Sequence, residues 1–227
     1  MMNADWNFSG EIVEKFDNHI LKSVPMYKEG HDLVCRLSDF FLSNDSVCYE
    51  IGCSTGSLTL QLAEHNRKKN IKFIGVEIEQ DMVDFANKKV LEYNEIDIIC
   101  DNILSMNLDK ADMIVSYYTI QFIKPRERQL IFDKIYESLN WGGAFVLFEK
   151  VRGPDARFQD IFTALYNDYK LEQGFSKEDI FDKTRSLKGV LEPFSTQGNL
   201  DLLQRAGFKD VVSIMKYVCF EGFLAIK

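Results

Sequence analysis

"VCYEIGCSTGSLTLQLAE", residues 47–64, decides how the chain is read: a short apolar run, a glycine, small residues, a second glycine, then a helical pattern. A glycine directly after a buried strand lets the backbone turn sharply and approach a ligand closely, and the following helix offers free N–H groups at its start. Three functions compete for such a turn: a phosphate cradle, a redox centre on Cys53, or a nucleoside-binding site. "GCSTGS" lacks the spacing and the lysine of a GxxxxGK[ST] loop, which argues against triphosphate. Ser54 stands where a GxGxxG dinucleotide turn has its second glycine, which weakens that alternative too.

Outward from the turn, strand-like and helix-like runs alternate. Strands are predicted over 46–51, 71–77, 96–100, 111–118 and 143–150, and helices over 56–66, 80–93 and 126–139. This alternation predicts an α/β fold with a mostly parallel sheet wrapped by helices. Upstream, 11–22 and 31–43 have helical apolar spacing, and "SVPMYKEG" interrupts them with Pro25 and Gly30. Residues 1–44 thus form a helical preface. After Lys150 no strand is predicted until "KDVVSIMKYVCFEGFLAIK", which holds two and brings the sheet to seven. The helical insertion between, 151–206, would lie over the carboxyl edge of the sheet, where open α/β sheets bind ligands. It is a candidate lid. No linker or repeat divides the chain, so 1–227 is taken as one domain.

Composition excludes several functions. A net charge of −8 disfavours a direct hold on nucleic-acid phosphates, since the only basic run is the brief "NRKKN" at 66–70. The five cysteines, at 35, 48, 53, 100 and 219, show no CxxC spacing, which argues against a zinc site or a disulfide framework and fits a reducing cytoplasm. The N-terminal residues lack the apolar core of a signal peptide, and no run approaches a membrane span.

Two more elements accompany the turn. Glu77, with Ile78 behind it, ends the second strand, where a carboxylate can accept hydrogen bonds from both ribose hydroxyls. Taken singly it is an ordinary solvated acid. Asp101 and Asn102 follow the third strand, placed to read an adenine amino group, although each by itself is a common turn residue. Their order behind the glycine turn resembles the class I S-adenosylmethionine-dependent methyltransferase fold: "YEIGCSTGSLT" is similar to its first motif, "GVEIEQDMVDFA" to its second, and "LNWGGAFVL" to the turn before its fifth strand.

Segments outside this core resemble one branch, the bacterial carboxy-S-adenosyl-L-methionine synthases. They are "KSVPMY" (22–27), "YYTIQFIKPRERQLIFDKIYESLNWGGAFVLFEK" (117–150), "YNDYKLEQGFSKEDIFDKTRS" (166–186) and "LLQRAGFKDV" (202–211). That resemblance implies conversion of prephenate and S-adenosylmethionine to phenylpyruvate and carboxy-S-adenosyl-L-methionine, in support of wobble-uridine modification in tRNA. It also implies a homodimer, and a separate carboxymethyltransferase as the partner that handles the tRNA. Residue by residue it places Tyr27, Gly52, Cys53, Ser54, Glu77, Ile78, Asp101, Asn102 and Tyr117 at the cofactor. An arginine of the lid helix binds the new carboxylate in that family, and Arg185 in "KTRS" takes its place. With Tyr27 it is the expected catalytic residue, and no metal is expected. Cys53 is expected to be a small inert side chain.

The chain departs from the family at several points. Met26 stands for Gly, Tyr117 for an Asn ligand, Glu77 for the usual Asp, "YNDYK" for "HHDFK" and "LKGV" for "LENV". Tyr117 either reshapes the pocket or changes its ligand. The alternatives that stay open are an S-adenosylmethionine-dependent methyltransferase acting on a small molecule, and a noncatalytic cofactor-binding subunit.

Overall fold

The computed structural model describes residues 12–227, with side chains from Phe16 onward. The first eleven residues of the expected preface lie outside the described part. Seven strands form one sheet in the order β3-β2-β1-β4-β5-β7-β6. The first five in that order, β3 (Ile96–Cys100), β2 (Lys72–Glu77), β1 (Val47–Ile51), β4 (Ala111–Tyr117) and β5 (Leu139–Lys150), pair in parallel. β7 (Phe220–Ile226) and β6 (Asp210–Tyr217) close the edge as antiparallel strands.

Each central strand is buried on both faces, and its period of two feeds two cores. Met113, Val115 and Tyr117 of β4, with Ala144, Val146 and Phe148 of β5, face α2 (Tyr27–Phe41) and α3 (Ser57–His65). Ile114 of β4, with Phe145 and Leu147 of β5, faces α5 (Pro125–Ser138) and α8 (Thr196–Ala206). α4 (Gln80–Lys89) covers the β2–β3 end. The sequence of crossovers reverses direction between β1 and β4, and there the carboxyl ends of the strands open a crevice for a ligand.

Two expectations change. Gly30 does not interrupt the preface, because α2 begins at Tyr27 and runs through it; a glycine inside a helix costs about 1 kcal/mol relative to alanine. The lid is shorter than 151–206. α6 (Ala156–Glu172) and α7 (Lys177–Ser186) overhang the crevice, whereas α8 packs on α5 as a sheet-covering helix, with Arg205 Nε donating to Gln129 Oε1 at 2.7 Å.

The base of the lid is fixed to the sheet through Arg128 of α5, which is only 2% exposed. Its guanidinium donates to the carbonyls of Ile123 (2.8 Å) and Gln121 (2.9 Å) and lies 4.5 Å from the centroid of the Phe194 ring. Buried Glu149 sits within its field. Replacing Arg128 with Met keeps the stem but orphans two carbonyls and leaves Glu149 without that cation. We expect Arg128→Met to lower stability by about 3 kcal/mol, measured by urea denaturation.

Candidate active site

The glycine turn is built by backbone geometry. Gly52 is left-handed (φ 72°), and a Cβ on it would stand 2.2 Å from the Thr119 methyl, so no larger residue fits. The N–H groups of Gly52 and Cys53 both donate to the Val76 carbonyl, at 2.7 and 3.0 Å. Ser54, itself at φ 51°, donates its N–H to Glu77 Oε2 at 2.9 Å. The other oxygen of Glu77 accepts from the Ile78 and Glu79 N–H groups at 2.8 and 3.1 Å. The acid at the end of β2 is therefore held against the turn, in a single orientation, by three backbone donors.

A cavity of about 1390 Å³ opens above this turn. It exceeds the roughly 300–1,000 Å³ of an ordinary small-molecule site, so it has room for a nucleoside cofactor and a second substrate. Tyr27, Gly52, Cys53, Ser54, Glu77, Ile78, Asp101, Asn102 and Tyr117 all line it. Asp101 and Asn102 form a turn in which Asp101 Oδ1 accepts from the Asn102 N–H at 2.6 Å and Asn102 Oδ1 from the Leu104 N–H at 2.9 Å. The Cys53 thiol is buried, and burial, with Glu50 and Glu77 nearby, holds its pKa well above the ordinary thiol value. It is a packing group rather than a nucleophile.

Arg185 is the exception among the expected residues. The stripe of α7 that lines the cavity comprises Asp179, Ile180, Asp182, Lys183, Thr184 and Ser186. Arg185 lies off that stripe, is exposed, and stacks its guanidinium 5.5 Å from the ring of exposed Phe181 one turn earlier. The cation that the lid helix turns toward the cavity is Lys183, whose pKa burial lowers to about 7.

Charged side chains of both signs line the cavity, Asp179 and Asp182 of the lid helix α7 among them. Glu77, Glu79 and Asp101, from the ends of β2 and β3, make one half acidic, and Glu50 at the end of β1 adds a buried carboxyl. Glu50 is 5% exposed, and burial raises its carboxyl to about 8 despite a hydrogen bond from Thr59 Oγ1. The opposite half carries Lys150, at the end of β5, and Lys170, on α6. Both ammonium groups lie over the Tyr166 ring, 4.2 and 4.5 Å from its centroid. Burial lowers the pKa of each, and for Lys170 burial and the repulsion of Lys150 bring it to about 8. No hydrogen bond or ion pair holds either ammonium group among the described residues. The Tyr166 hydroxyl donates to the Ser23 carbonyl at 2.9 Å, joining the lid to the end of α1 (Ile12–Ser23).

Sequence reasoning missed Glu50 and the lysines. Glu50 sits inside the quoted motif, and its burial two residues before the glycine was the available signal. Lys150 ends a strand at the ligand edge, a position that can be found from sequence. Lys170 and Lys183 carry no local mark, because only the folding of the lid brings them to the cavity.

A family model described as a methyltransferase domain matches residues 49–143. The carboxy-S-adenosyl-L-methionine synthase of Campylobacter lari is 34% identical over 227 residues, covering 100% of this chain and 96% of its own length. That of Staphylococcus epidermidis is 35% identical over 223 residues, covering 98% and 97%, and one from Campylobacter jejuni subsp. jejuni is 38% identical over 224 residues, covering 98% and 94%. Solved structures show the same fold at low identity. The S-adenosylmethionine-dependent methyltransferase SibL gives a TM-score of 0.60 at 11% identity, covering 88% of this chain and 55% of its own. The cyclopropane synthase MmaA2 of Mycobacterium tuberculosis gives 0.61 at 14%, covering 82% and 63%. The cavity fits the cofactor these names imply, because a close-approach glycine turn and a fixed strand-end acid face an acidic half suited to a cationic nucleoside. The chain is an S-adenosylmethionine-dependent transferase with the class I methyltransferase fold, and it belongs to the carboxy-S-adenosyl-L-methionine synthase family.

Proposed function

We propose that the chain converts S-adenosylmethionine and prephenate to carboxy-S-adenosyl-L-methionine and phenylpyruvate. The observation that carries this reading is the pair of ammonium groups over Tyr166 with no carboxylate beside them among the described residues. Two like charges brought together in a partly desolvated site are unfavourable until an anion joins them. A dianion with two carboxylates, as prephenate is, supplies that partner. S-adenosylmethionine, cationic at its sulfonium and its ammonium, suits the acidic half and presents a methyl carbon whose protons the sulfonium acidifies.

The atoms balance without an external oxidant or reductant. Prephenate loses its ring carboxylate as carbon dioxide, the electron pair flows into the ring, and the ring hydroxyl departs as hydroxide on aromatisation. The hydroxide takes a proton from the sulfonium methyl and becomes water, and the methyl carbon bonds to the carbon dioxide. Lys150 and Lys170 hold the side-chain carboxylate, which keeps its charge throughout the reaction and leaves the ring carboxylate unpaired and free to depart, and α6 and α7 keep bulk water from competing for the carbon. Lys183 takes the role of holding the new carboxylate, which the family resemblance assigns to Arg185. The consumer of the product in this reading is a separate carboxymethyltransferase acting on tRNA, since a chain of net charge −8 has little hold on phosphates.

Incubation with both substrates should yield carboxy-S-adenosyl-L-methionine and phenylpyruvate in equal amounts by mass spectrometry. S-adenosylhomocysteine with a methylated acceptor would instead establish methyl transfer. Replacing Lys150 or Lys170 with Met should reduce kcat/KM for the acid by about 10- to 100-fold, the worth of one charged hydrogen bond, and leave affinity for S-adenosylmethionine within about twofold.

Lys183→Ala should weaken the carboxylated ligand at least about tenfold more than Arg185→Ala does. Because the Lys183 amine is charged only below its pKa of about 7, affinity for that ligand should fall as pH rises past neutrality. The reverse ranking of the two variants would return the role to Arg185.

Glu50 gives a second pH signal. Its carboxyl is largely protonated at pH 7, and a cationic ligand beside it favours the ionised form. Binding of S-adenosylmethionine near pH 7 should therefore release a proton, detected by calorimetry in buffers of different ionisation enthalpy. The release should vanish in Glu50→Gln.

A further inference from the structure

Glycine is among the least favourable residues in a helix interior, yet Gly30 sits inside α2. Its neighbour across the core explains the choice. A Cβ at position 30 would stand 2.1 Å from Tyr117 Oη and 3.1 Å from Tyr117 Cζ. The Tyr117 hydroxyl therefore fills the space that any other residue at position 30 would claim.

From that seat the hydroxyl donates to the carbonyl of Tyr27, the first residue of α2, at 2.8 Å. This end of the helix lacks the usual support. Met26 at the N-cap is left-handed (φ 56°) and makes no side-chain capping bond. The ring of Tyr117 meets that of Tyr27 edge-on at 5.2 Å and packs on Phe148 at 4.7 Å, while His31 closes on Tyr27 at 4.5 Å. Burial raises the pKa of the Tyr117 phenol far above its ordinary value, so it is a neutral donor at any working pH. Its hydroxyl is committed to backbone. The Tyr27 phenol, by contrast, lies in the field of Glu50 and Asp17, on the acidic side of the cavity.

We propose that Tyr117 is a positioning residue: seated over Gly30 and bonded to the Tyr27 carbonyl, it fixes the Tyr27 ring as a wall of the cavity that holds S-adenosylmethionine. Position 117 thus acts on the cofactor through shape, with Gly30 and Tyr117 working as one unit. The proposal concerns cofactor binding alone and is independent of which group the enzyme transfers.

The test is calorimetric titration of the full chain with S-adenosylhomocysteine, with thermal melts to establish folding. Tyr117→Phe should raise Kd about tenfold, the worth of one hydrogen bond. Gly30→Ala should drive the phenol from its seat and raise Kd further, to about a hundredfold. The double variant Gly30→Ala/Tyr117→Phe should bind more tightly than Gly30→Ala alone, since the contact left to Cζ is 3.1 Å. In a Tyr27→Leu background, Tyr117→Phe should have no further effect on Kd, a non-additivity that a merely structural tyrosine would not show. Unchanged affinity in Tyr117→Phe, no rescue in a folded double variant, or additive effects with Tyr27→Leu would each overturn the proposal. If Gly30→Ala does not fold, the Tyr27 and Tyr117 cycle decides alone.

Discussion

The approach of Gly52 to Thr119, possible only for a residue without a side chain, sets where the other walls of the cavity stand. Thr119 leads into the short 3-10 turn Ile120–Phe122, and Gln121 within it bonds in two directions. Its Oε1 accepts from the Lys150 N–H at 2.8 Å and its Nε2 donates to the Tyr118 carbonyl at 3.0 Å. The same turn offers the Gln121 carbonyl to Arg128, which carries the base of the lid. A single close contact thereby ties the acidic half of the cavity to the basic half. Moving the glycine turn by a methyl group would displace the lysine at the end of β5 as well.

The placement of charge follows from topology. In a parallel sheet all strand ends that face a ligand lie on one edge, so residues far apart in sequence share a rim. Here the ends of β1, β2 and β3 deliver carboxyl groups to that rim and β5 delivers Lys150, while the lid adds Lys170 and Lys183 together with Asp179 and Asp182. Charged groups gathered under a lid act more strongly than they would in open water.

The sheet, its order of elements and the strand-end wall of the cavity were legible in the sequence because each rests on local patterns. Alternation of apolar runs fixed the strands to within a few residues, and the glycine turn, Glu77, Asp101 and Asn102 all sit where a strand stops. The lid was legible as helices but not as a surface. Arg185 and Lys183 are two residues apart, and only the rotation of α7 decides which of them faces inward. Lys170 meets Lys150 across a ring supplied by Tyr166, a coincidence of tertiary structure that no spacing announces. Gly30 misled the reading outright, since glycine usually marks a break and here makes room for a phenol from β4.

Tyr166 joins two tasks that could have been separate. Its hydroxyl clasps α1 at Ser23, and its ring is the platform under both lysines. α1 also contributes His19, Ile20 and Ser23 to the cavity wall, where the His19 ring meets Phe175, between α6 and α7, at 5.6 Å. Any displacement of α6 from α1 therefore breaks the clasp and separates the aromatic ring from Lys150 in the same motion. One residue thus serves both the closure of the cavity wall and the gathering of its ammonium groups, so neither can be altered alone.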